Sequence, residues 1–542
     1  MIAVAWVVVR NLLQRLCVPL TQDELWLWRA GPAGALVTQP NLKPDAVILG
    51  LSPLEPGVRC STSGMMSRRA VRVGWLPPLR FTSPRQRHGY ACFRASLEAL
   101  TREGIVRIAL VYPEVYDMAR FRESRKEFPP FGVLYLAASL RDAGHEVDVL
   151  KVTKWGKALD LRPYQAVGFS LASSATYGIL LSARESAMMS ADTLVMVGGV
   201  HAHFYPRESL EDFAAHVVSV GESEETILEI VNHHADRNFS GIQGVMFHDE
   251  TGALRSTPAL KVSPDISYLP LPARDLLPVE DFVMNDRLAG RDVRMAHVMF
   301  SRGCPFPCTF CAAGQTRIQY RDGESARREL EHLIRNYEVG GFAIVDDNFV
   351  VNKAKVRDIC KQISDLRLQW SALSRVDTVD PELLGDMASA GCVEIKFGVE
   401  SGSESLLRSM RKNTTQAQIT SAVTWSEEVG IEPKAFIIHG YPGENHTTTR
   451  ETIELLDRLG DKLSRVSLFR FVPLPGTQVY DQLSTYGGIR GTHLLADWDG
   501  DWEKFHIHHN DRHWWGTDDD FEELQESYAE LEAFVESRWD VQ

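Results

Sequence analysis

The sequence predicts two α/β domains in tandem, a doubly wound parallel sheet followed by a partial (β/α)6 barrel, with a small helical region at the C-terminal end. Three observations carry this. Between Ile105 and about residue 480, short apolar runs alternate with helical patterns, the signature of parallel sheets with helical crossovers. One Pro-rich stretch, Asp265 to Leu277 (DISYLPLPARDLL), breaks the alternation and divides it in two. Polar residues gather just after the apolar runs, at the carboxyl ends of the strands, where sheets of this kind bind ligands.

The first domain is expected over residues 105–264. Val106 to Tyr112 (VRIALVY) is a buried strand, followed by a helix from Val133 to Ala143 that stops at Gly144. Strands follow at Glu146 to Val152 and Ala166 to Leu171, then a helix from Tyr177 to about Met189. Thr193 to Val197 runs into Gly198-Gly199, a short helix lies near Ser209 to Phe213, and Val217 to Val220 leads into Gly221-Glu222-Ser223-Glu224. The loops at the carboxyl edge are therefore Tyr112-Pro113, Ser170 to Ser174, Gly198 to His203 and Gly221 to Glu224.

Residues 265–294 read as a linker and 295–480 as the barrel. Its first strand is Ala296 to Phe300, followed by a helix from Glu324 to Tyr337. Gly341 to Val345 ends in Asp346-Asp347-Asn348, and Leu368 to Ser374 ends at Arg375. Cys392 to Val399 ends in Glu400-Ser401-Gly402, Pro433 to His439 in Gly440-Tyr441-Pro442-Gly443-Glu444, and Val466 to Val472 in Pro473 to Thr477. Six strand–helix units fit an incomplete barrel whose active face is the carboxyl end of its strands. Residues 481–542 hold Trp498, Trp502, Trp514 and Trp515 and a helix from about Asp520 to Ser537. His506, His508, His509 and His513 lack accompanying carboxylate or cysteine spacing and are not read as a metal site.

Residues 1–104 match none of this pattern and stay unassigned, either unstructured or preceding a translation start near Met65 or Met66. The apolar start is interrupted by Arg10 and Arg15 and lacks a basic region ahead of it, so it reads as neither signal peptide nor anchor. No run reaches the ~18–20 apolar residues of a spanning helix. Acidic residues outnumber basic ones, 72 to 58, for a formal charge of −14, which argues against nucleic acid as a partner. Of eight cysteines, Cys17, Cys60, Cys92, Cys360 and Cys392 are scattered, so no disulfide framework is visible.

The other three define the chemistry. Ser301-Arg302-Gly303-Cys304-Pro305-Phe306-Pro307-Cys308-Thr309-Phe310-Cys311 places them as C-x3-C-x2-C directly after a strand. A closed zinc site needs four ligands, and no fourth Cys lies within the next forty residues. An iron–sulfur cluster held by three cysteines instead of the usual four keeps one iron open to another ligand.

This loop, with Phe310 in the aromatic slot, resembles that of the radical S-adenosylmethionine (SAM) enzymes. The resemblance implies a [4Fe-4S] cluster on Cys304, Cys308 and Cys311, with SAM chelated to the open iron and cleaved by a cluster electron to a 5'-deoxyadenosyl radical. It also implies SAM contacts from Glu400, from Gly440 and Glu444 near the adenine, from Arg375 toward the SAM carboxylate, and from Asp346 or Asp347. Gly198-Gly199-Val200-His201-Ala202 and Val220-Gly221-Glu222-Ser223-Glu224 resemble the cobalamin-binding domain that precedes many such barrels. Ser170, Ser173, Gly198, Gly199, His201, Gly221 and Glu222 are the implied cobalamin contacts. Residues Tyr112 to Gly132 contain no histidine, so the family's D-x-H-x-x-G cobalt ligand is missing. A flavodoxin-like domain with another ligand is the alternative.

Together the two resemblances imply a cobalamin-dependent radical SAM methyltransferase of the antibiotic and natural-product type. It would carry a methyl group by way of methylcobalamin to an unactivated carbon or phosphorus of a small molecule such as an amino sugar or phosphinate. A reductant such as flavodoxin or ferredoxin and a cytoplasmic location follow from the oxygen-sensitive cluster. The alternatives are a cyclase or rearrangement enzyme without methyl transfer, similar to the anaerobic tetrapyrrole cyclases, and a cobalamin-binding sensor or carrier.

Overall fold

The computed structural model describes residues 25–28, 47–50, 104–114, 129–153, 156–482, 502–505, 514–515 and 518–539. Two units separate: Met1–Val106 with Ala143–Glu146, and Arg107–Asp142 with Val147–Gln542. In the first, β1 (Leu25–Trp28) pairs in parallel with β2 (Val47–Gly50). The rest of the unassigned segment, together with Trp498 and the histidines at 506, 508, 509 and 513, lies outside the described residues.

The second unit opens with β3 (Arg107–Pro113), whose RIALVYP sequence is buried on both faces after its first residue. Helix α1 (Phe131–Asp142) follows, then β4 (Glu146–Val152), β5 (Ala166–Ser170), α2 (Tyr177–Ser186) and β6 (Leu194–Gly198). Helices α3 (Val200–Phe204) and α4 (Pro206–Asp212) lead to β7 (Val217–Ser219) and α5 (Thr226–Asn232). The sheet order is β4-β3-β5-β6-β7-β8-β9, so the winding reverses between β3 and β5. The expected doubly wound sheet is present. The last two strands, β8 (Val245–His248) and β9 (Leu254–Ser256), extend it antiparallel through a turn in which Asp249 accepts from the amides of Thr251 and Ala253.

The second sheet runs β10-β11-β14-β15-β16-β17-β18. Its six parallel strands are β11 (Arg291–Val298), β14 (Gly341–Ile344), β15 (Gln369–Ser374), β16 (Cys392–Glu400), β17 (Glu432–His439) and β18 (Arg465–Arg470). These are the expected barrel strands. Strand β10 (Val283–Leu288), inside the stretch read as a linker, pairs antiparallel with β11 across Ala289-Gly290. Both turn residues have positive φ, 46° and 72°, which matches the twist of a two-residue hairpin. A short ladder joins β12 (Ser301–Arg302) to β13 (Gln319–Tyr320) beside the cysteine loop.

The barrel helices start where their caps dictate. In α6 (Gly323–Tyr337), α7 (Lys353–Ile363) and α8 (Pro381–Ser389), Asp322, Asn352 and Asp380 accept first-turn amides. Helix α9 (Glu404–Ser409) precedes α10 (Gln416–Glu428), which opens with a Thr415/Gln418 capping box, and α11 (His446–Leu459), capped by Asn445. Helix α12 (Gln478–Asp481) follows β18, and α13 (Asp518–Arg538) ends the described chain.

One apolar core runs from Val111, Phe169 and Val197 of the first sheet to Tyr441 and Phe471 of the barrel, and takes in Trp502, Phe505, Trp514 and Trp515. The two domains therefore share buried surface. Fully buried Arg274 of the linker and Arg321 both bind Glu329 of α6, at 2.7 and 2.5 Å. Removing one member of such a triad would strand a buried charge, so it fixes the linker on the barrel. Among the described residues no helix is long and apolar enough to cross a membrane.

Candidate active site

The cysteine loop is shaped by its backbone. Gly303 sits at φ 81°, and a Cβ there would fall 2.6 Å from the Arg317 carbonyl oxygen, so only glycine fits. Beyond it, Thr316 donates its amide to the Cys304 carbonyl at 3.0 Å, and its hydroxyl accepts from the Cys304 amide at 2.9 Å. Gln315 donates to the Phe306 carbonyl at 3.0 Å. The Thr309 amide donates to the Met410 carbonyl, and its hydroxyl meets Tyr441 Oη at 2.8 Å, which ties the loop to the end of β17.

Cys304 is buried, Cys308 and Cys311 are half-buried, and all three are free thiols. Burial pushes the Cys304 and Cys311 thiols up, Cys311 to about 11, and each feels its neighbouring cysteines in the same direction. The three sulfurs thus share one electrostatic neighbourhood. Among the described residues no three Cys, His, Asp or Glu side chains close on a point at the spacing of a single-ion site. A cubane differs from such an ion because each thiolate takes a different iron, so its sulfurs stand apart around a volume. Three free thiols on one pinned loop fit that group.

The strand-end residues surround this loop. Asp346, buried, accepts from the Phe300 amide at 2.9 Å and from Ser301 Oγ at 2.6 Å; burial pushes its carboxyl up to about 8. Asp347 is reached by solvent and accepts the Gly303 amide at 3.0 Å. Arg375 stacks on Phe306 with its guanidinium carbon 4.0 Å from the ring centre. Its fork is bidentate to Asp377, at 2.9 and 2.8 Å, and the same guanidinium donates to Cys308 Sγ at 3.2 Å and to the Lys412 carbonyl at 2.7 Å.

Glu400 adopts φ 67°, an uncommon conformation for a residue with a side chain, where the β16–β17 register shifts. Its carboxylate pairs with buried Lys412 Nζ at 2.7 Å. Gly440 accepts Trp515 Nε1 at 2.7 Å through its carbonyl. Buried Glu444 accepts from Thr448 Oγ1 at 2.5 Å and Thr449 Oγ1 at 3.3 Å, and burial pushes its carboxyl up to about 7. Phe310 packs half-buried against the shared apolar core.

On the first sheet, the expected cobalamin-side residues line the carboxyl ends of β5, β6 and β7. Ser170 lies opposite Gly198 in the β5–β6 register, and the Leu171 amide donates to the Gly198 carbonyl at 2.8 Å. Gly199 has φ 101°, and a Cβ there would meet the Leu171 carbonyl oxygen at 2.7 Å. Gly221, at φ 98°, has open space around the position of its missing Cβ, which leaves backbone free to approach a flat ligand. Ser173 faces Thr176 Oγ1 at 3.3 Å.

His201 is buried among Tyr177, Tyr205 and Trp502, with ring centres 4.6, 5.1 and 4.8 Å away. Its Nδ1 meets Ser174 Oγ at 2.9 Å, while Nε2 has no protein partner. Burial holds its pKa down at about 4, so the ring is neutral near pH 7. The open backbone edge at Gly221 fits a large flat cofactor on this face.

The two halves meet at a residue that sequence reasoning passed over. Arg302 of the cysteine loop donates from Nη1 to Glu222 Oε2 and from Nη2 to Glu224 Oε1, each at 2.6 Å. Lys412, Asp377 and Tyr441 were missed as well. Only Arg302 carried a signal, as a charge two residues before the first cysteine in an otherwise uncharged loop.

Comparison with known proteins decides the family. A model of the radical SAM superfamily matches residues 298–456, and a B12 binding domain model matches residues 119–231. The chain carries the two domains that define cobalamin-dependent radical SAM enzymes. Its cofactors are a [4Fe-4S] cluster, SAM and cobalamin. It is 29% identical over 391 residues to an uncharacterised methyltransferase of Pyrococcus horikoshii, covering 70% of this chain and 83% of the relative. It is 25% identical over 404 residues to the anaerobic magnesium-protoporphyrin IX monomethyl ester cyclase of Rubrivivax gelatinosus, covering 70% of each. The fold matches that of TsrM, a radical SAM methyltransferase from Kitasatospora setae solved with cobalamin and a [4Fe-4S] cluster. That match has a TM-score of 0.59 and 18% identity, covering 80% of this chain and 89% of TsrM.

Proposed function

We propose that the enzyme methylates an unactivated carbon or phosphorus atom of a small-molecule antibiotic precursor, such as an amino sugar or a phosphinate. The observation that carries the reading is the direct bonding of the cysteine loop to the cobalamin-side loop through Arg302, Glu222 and Glu224. It brings the two cofactor-bearing loops together in one chain. When bound, the cluster and SAM supply a hydrogen-abstracting radical, and cobalamin supplies the methyl group.

The chain's own residues supply position and exclusion. Cys304, Cys308 and Cys311 hold the cluster, and Arg375, donating to Cys308 Sγ, stabilises negative charge on that sulfur. Glu400 and Lys412 offer opposite charges at the strand-four end, matching the amino and carboxylate groups of SAM. Gly440 and Glu444 line the adenine side. Ser170, Ser173, Gly198, Gly199, His201, Gly221 and Glu222 form the cobalamin edge. The aromatic cluster of Trp502, Phe505, Trp514 and Trp515 excludes water from the shared interior. A one-electron donor such as flavodoxin or ferredoxin and the reducing cytoplasm suit an oxygen-sensitive cluster.

The cyclase relative favours a second reading, ring formation without methyl transfer. Anaerobic turnover of the reconstituted full chain with SAM, methylcobalamin, a reductant and candidate amino-sugar and phosphinate acceptors separates the two. Equal yields of 5'-deoxyadenosine and S-adenosylhomocysteine with a methylated product support the methyltransferase. Deoxyadenosine alone, with acceptor consumed, overturns it in favour of cyclisation.

A further inference from the structure

We infer that Arg302 is a positioning residue that sets the cluster loop against the cobalamin-side loop, and so fixes the separation across which the two cofactors cooperate. The inference rests on the cofactor placement proposed above.

Three consecutive residues ahead of the first cysteine are anchored alternately. Ser301 Oγ donates to Asp346 of the barrel at 2.6 Å, and the Gly303 amide donates to Asp347, also of the barrel, at 3.0 Å. Between them Arg302 points the other way, its side chain 11% exposed, to Glu222 and Glu224 of the first domain. Ser301 and Arg302 form the short strand β12, in which successive side chains point to opposite sides, so Arg302 faces away from the partner of Ser301. Glu222 and Glu224 each take one Nη of the same guanidinium.

The fork is itself held. It lies over the Tyr135 ring of α1 with its carbon 5.0 Å from the ring centre, and Arg321 lies over the same ring at 5.4 Å. Arg321 in turn binds Glu329, which binds Arg274 of the linker. A chain of contacts thus runs from the cobalamin-side loop through Arg302 to the linker and α6. Its branch at Arg302 is two residues from Cys304. Lysine carries the same charge as a single point and cannot satisfy both carboxylates in this planar geometry.

The test uses the full chain reconstituted with cluster and cob(II)alamin, in wild-type, Arg302→Gln, Arg302→Lys and Glu224→Gln forms. Iron and cobalamin content are measured first. The relaxation of the cob(II)alamin electron spin is then compared with the cluster reduced, hence paramagnetic, and oxidised, hence diamagnetic. Relaxation enhancement falls steeply with separation and orientation spread, and does not depend on turnover.

The expected result is normal loading, loss of the wild-type enhancement in Arg302→Gln, weakened enhancement in Glu224→Gln, and partial retention in Arg302→Lys. SAM products should shift toward deoxyadenosine without methylated product. Unchanged enhancement and product ratio in loaded Arg302→Gln overturn the proposal. If Arg302→Gln fails to take up iron, Glu224→Gln, remote from the cysteines, decides by the same criterion. A purely structural Arg302 would lower melting temperature or loading and leave the enhancement per loaded molecule intact. Wild-type enhancement without any S-adenosylhomocysteine would sink the methyltransferase reading and leave Arg302's role standing.

Discussion

Replacing Lys412 by Met tests the barrel's most exposed commitment. Lys412 Nζ lies 2.7 Å from Glu400 Oε1, with side chains only 6% and 9% exposed. Beneath them, a Cβ on Gly398 would fall 2.4 Å from Glu400 Oε1 and 2.8 Å from Lys412 Nζ, so the pair fills the space above that glycine. Lys412→Met keeps most of the packing volume and leaves the Glu400 carboxylate buried without its cation. Breaking a buried pair from one side costs about 3–5 kcal/mol.

Glu400→Gln keeps a carbonyl acceptor for the ammonium and should cost about 1–3 kcal/mol. The double variant removes both charges and should recover most of the loss, giving a coupling of about 2 kcal/mol or more. The assay is urea unfolding of the full chain without cofactors, under reducing conditions, followed by tryptophan fluorescence. SAM affinity of the reconstituted proteins is measured beside it and should fall in both single variants. A cost below about 1 kcal/mol for Lys412→Met, or single effects that add to the double within about 0.5 kcal/mol, would refute the argument.

Gly303→Ala must place a methyl 2.6 Å from the Arg317 carbonyl at a left-handed φ, so a cost of about 1–3 kcal/mol and lower iron uptake with an unchanged circular dichroism spectrum are expected. Cys308→Ala should abolish cluster absorbance while cobalamin still binds, since the cobalamin edge lies on the other sheet; loss of both would contradict that division. Glu444 has a folded pKa of about 7, raised from 4.5 by burial. Its contribution to stability is therefore complete below the unfolded value and lost as pH rises through about 7. Melting temperatures across that window should fall less with rising pH for Glu444→Gln than for wild type, and parallel curves would count against the burial argument.

Much of the architecture was legible because both domains are written in strongly apolar strands. The strand expected from Glu146 to Val152 has those very ends, and all six barrel strands were anticipated with ends differing by a few residues. Strand β10 was not legible. Its Asn285, Asp286 and Arg287 look like loop residues, and it is a strand because a tight turn folds it back on the sheet edge. The site divides in the same way. Cysteine spacing and strand-end polarity are local and can be read from one segment. Lys412 acquires meaning only when folding brings it to Glu400, and no pattern in its own neighbourhood announces it. Arg375 shows the converse: its position at a strand end was expected, whereas the direction of its fork depends on Asp377, two residues on.

The C-terminal helix bears on how the chain comes off the ribosome. Strand β18 is the last of its sheet, and beside it Arg470 lies over Tyr528 of α13 with its guanidinium carbon 3.6 Å from the ring centre. The same helix bonds His439 of β17 through Ser527 at 3.1 Å, and just beyond it Trp539 donates to the Leu463 carbonyl at 2.9 Å. A nascent chain that has emerged only as far as α12 has all six parallel strands but lacks these contacts. The contacts that hold β17 and β18 from this side therefore form late, once α13 has followed them.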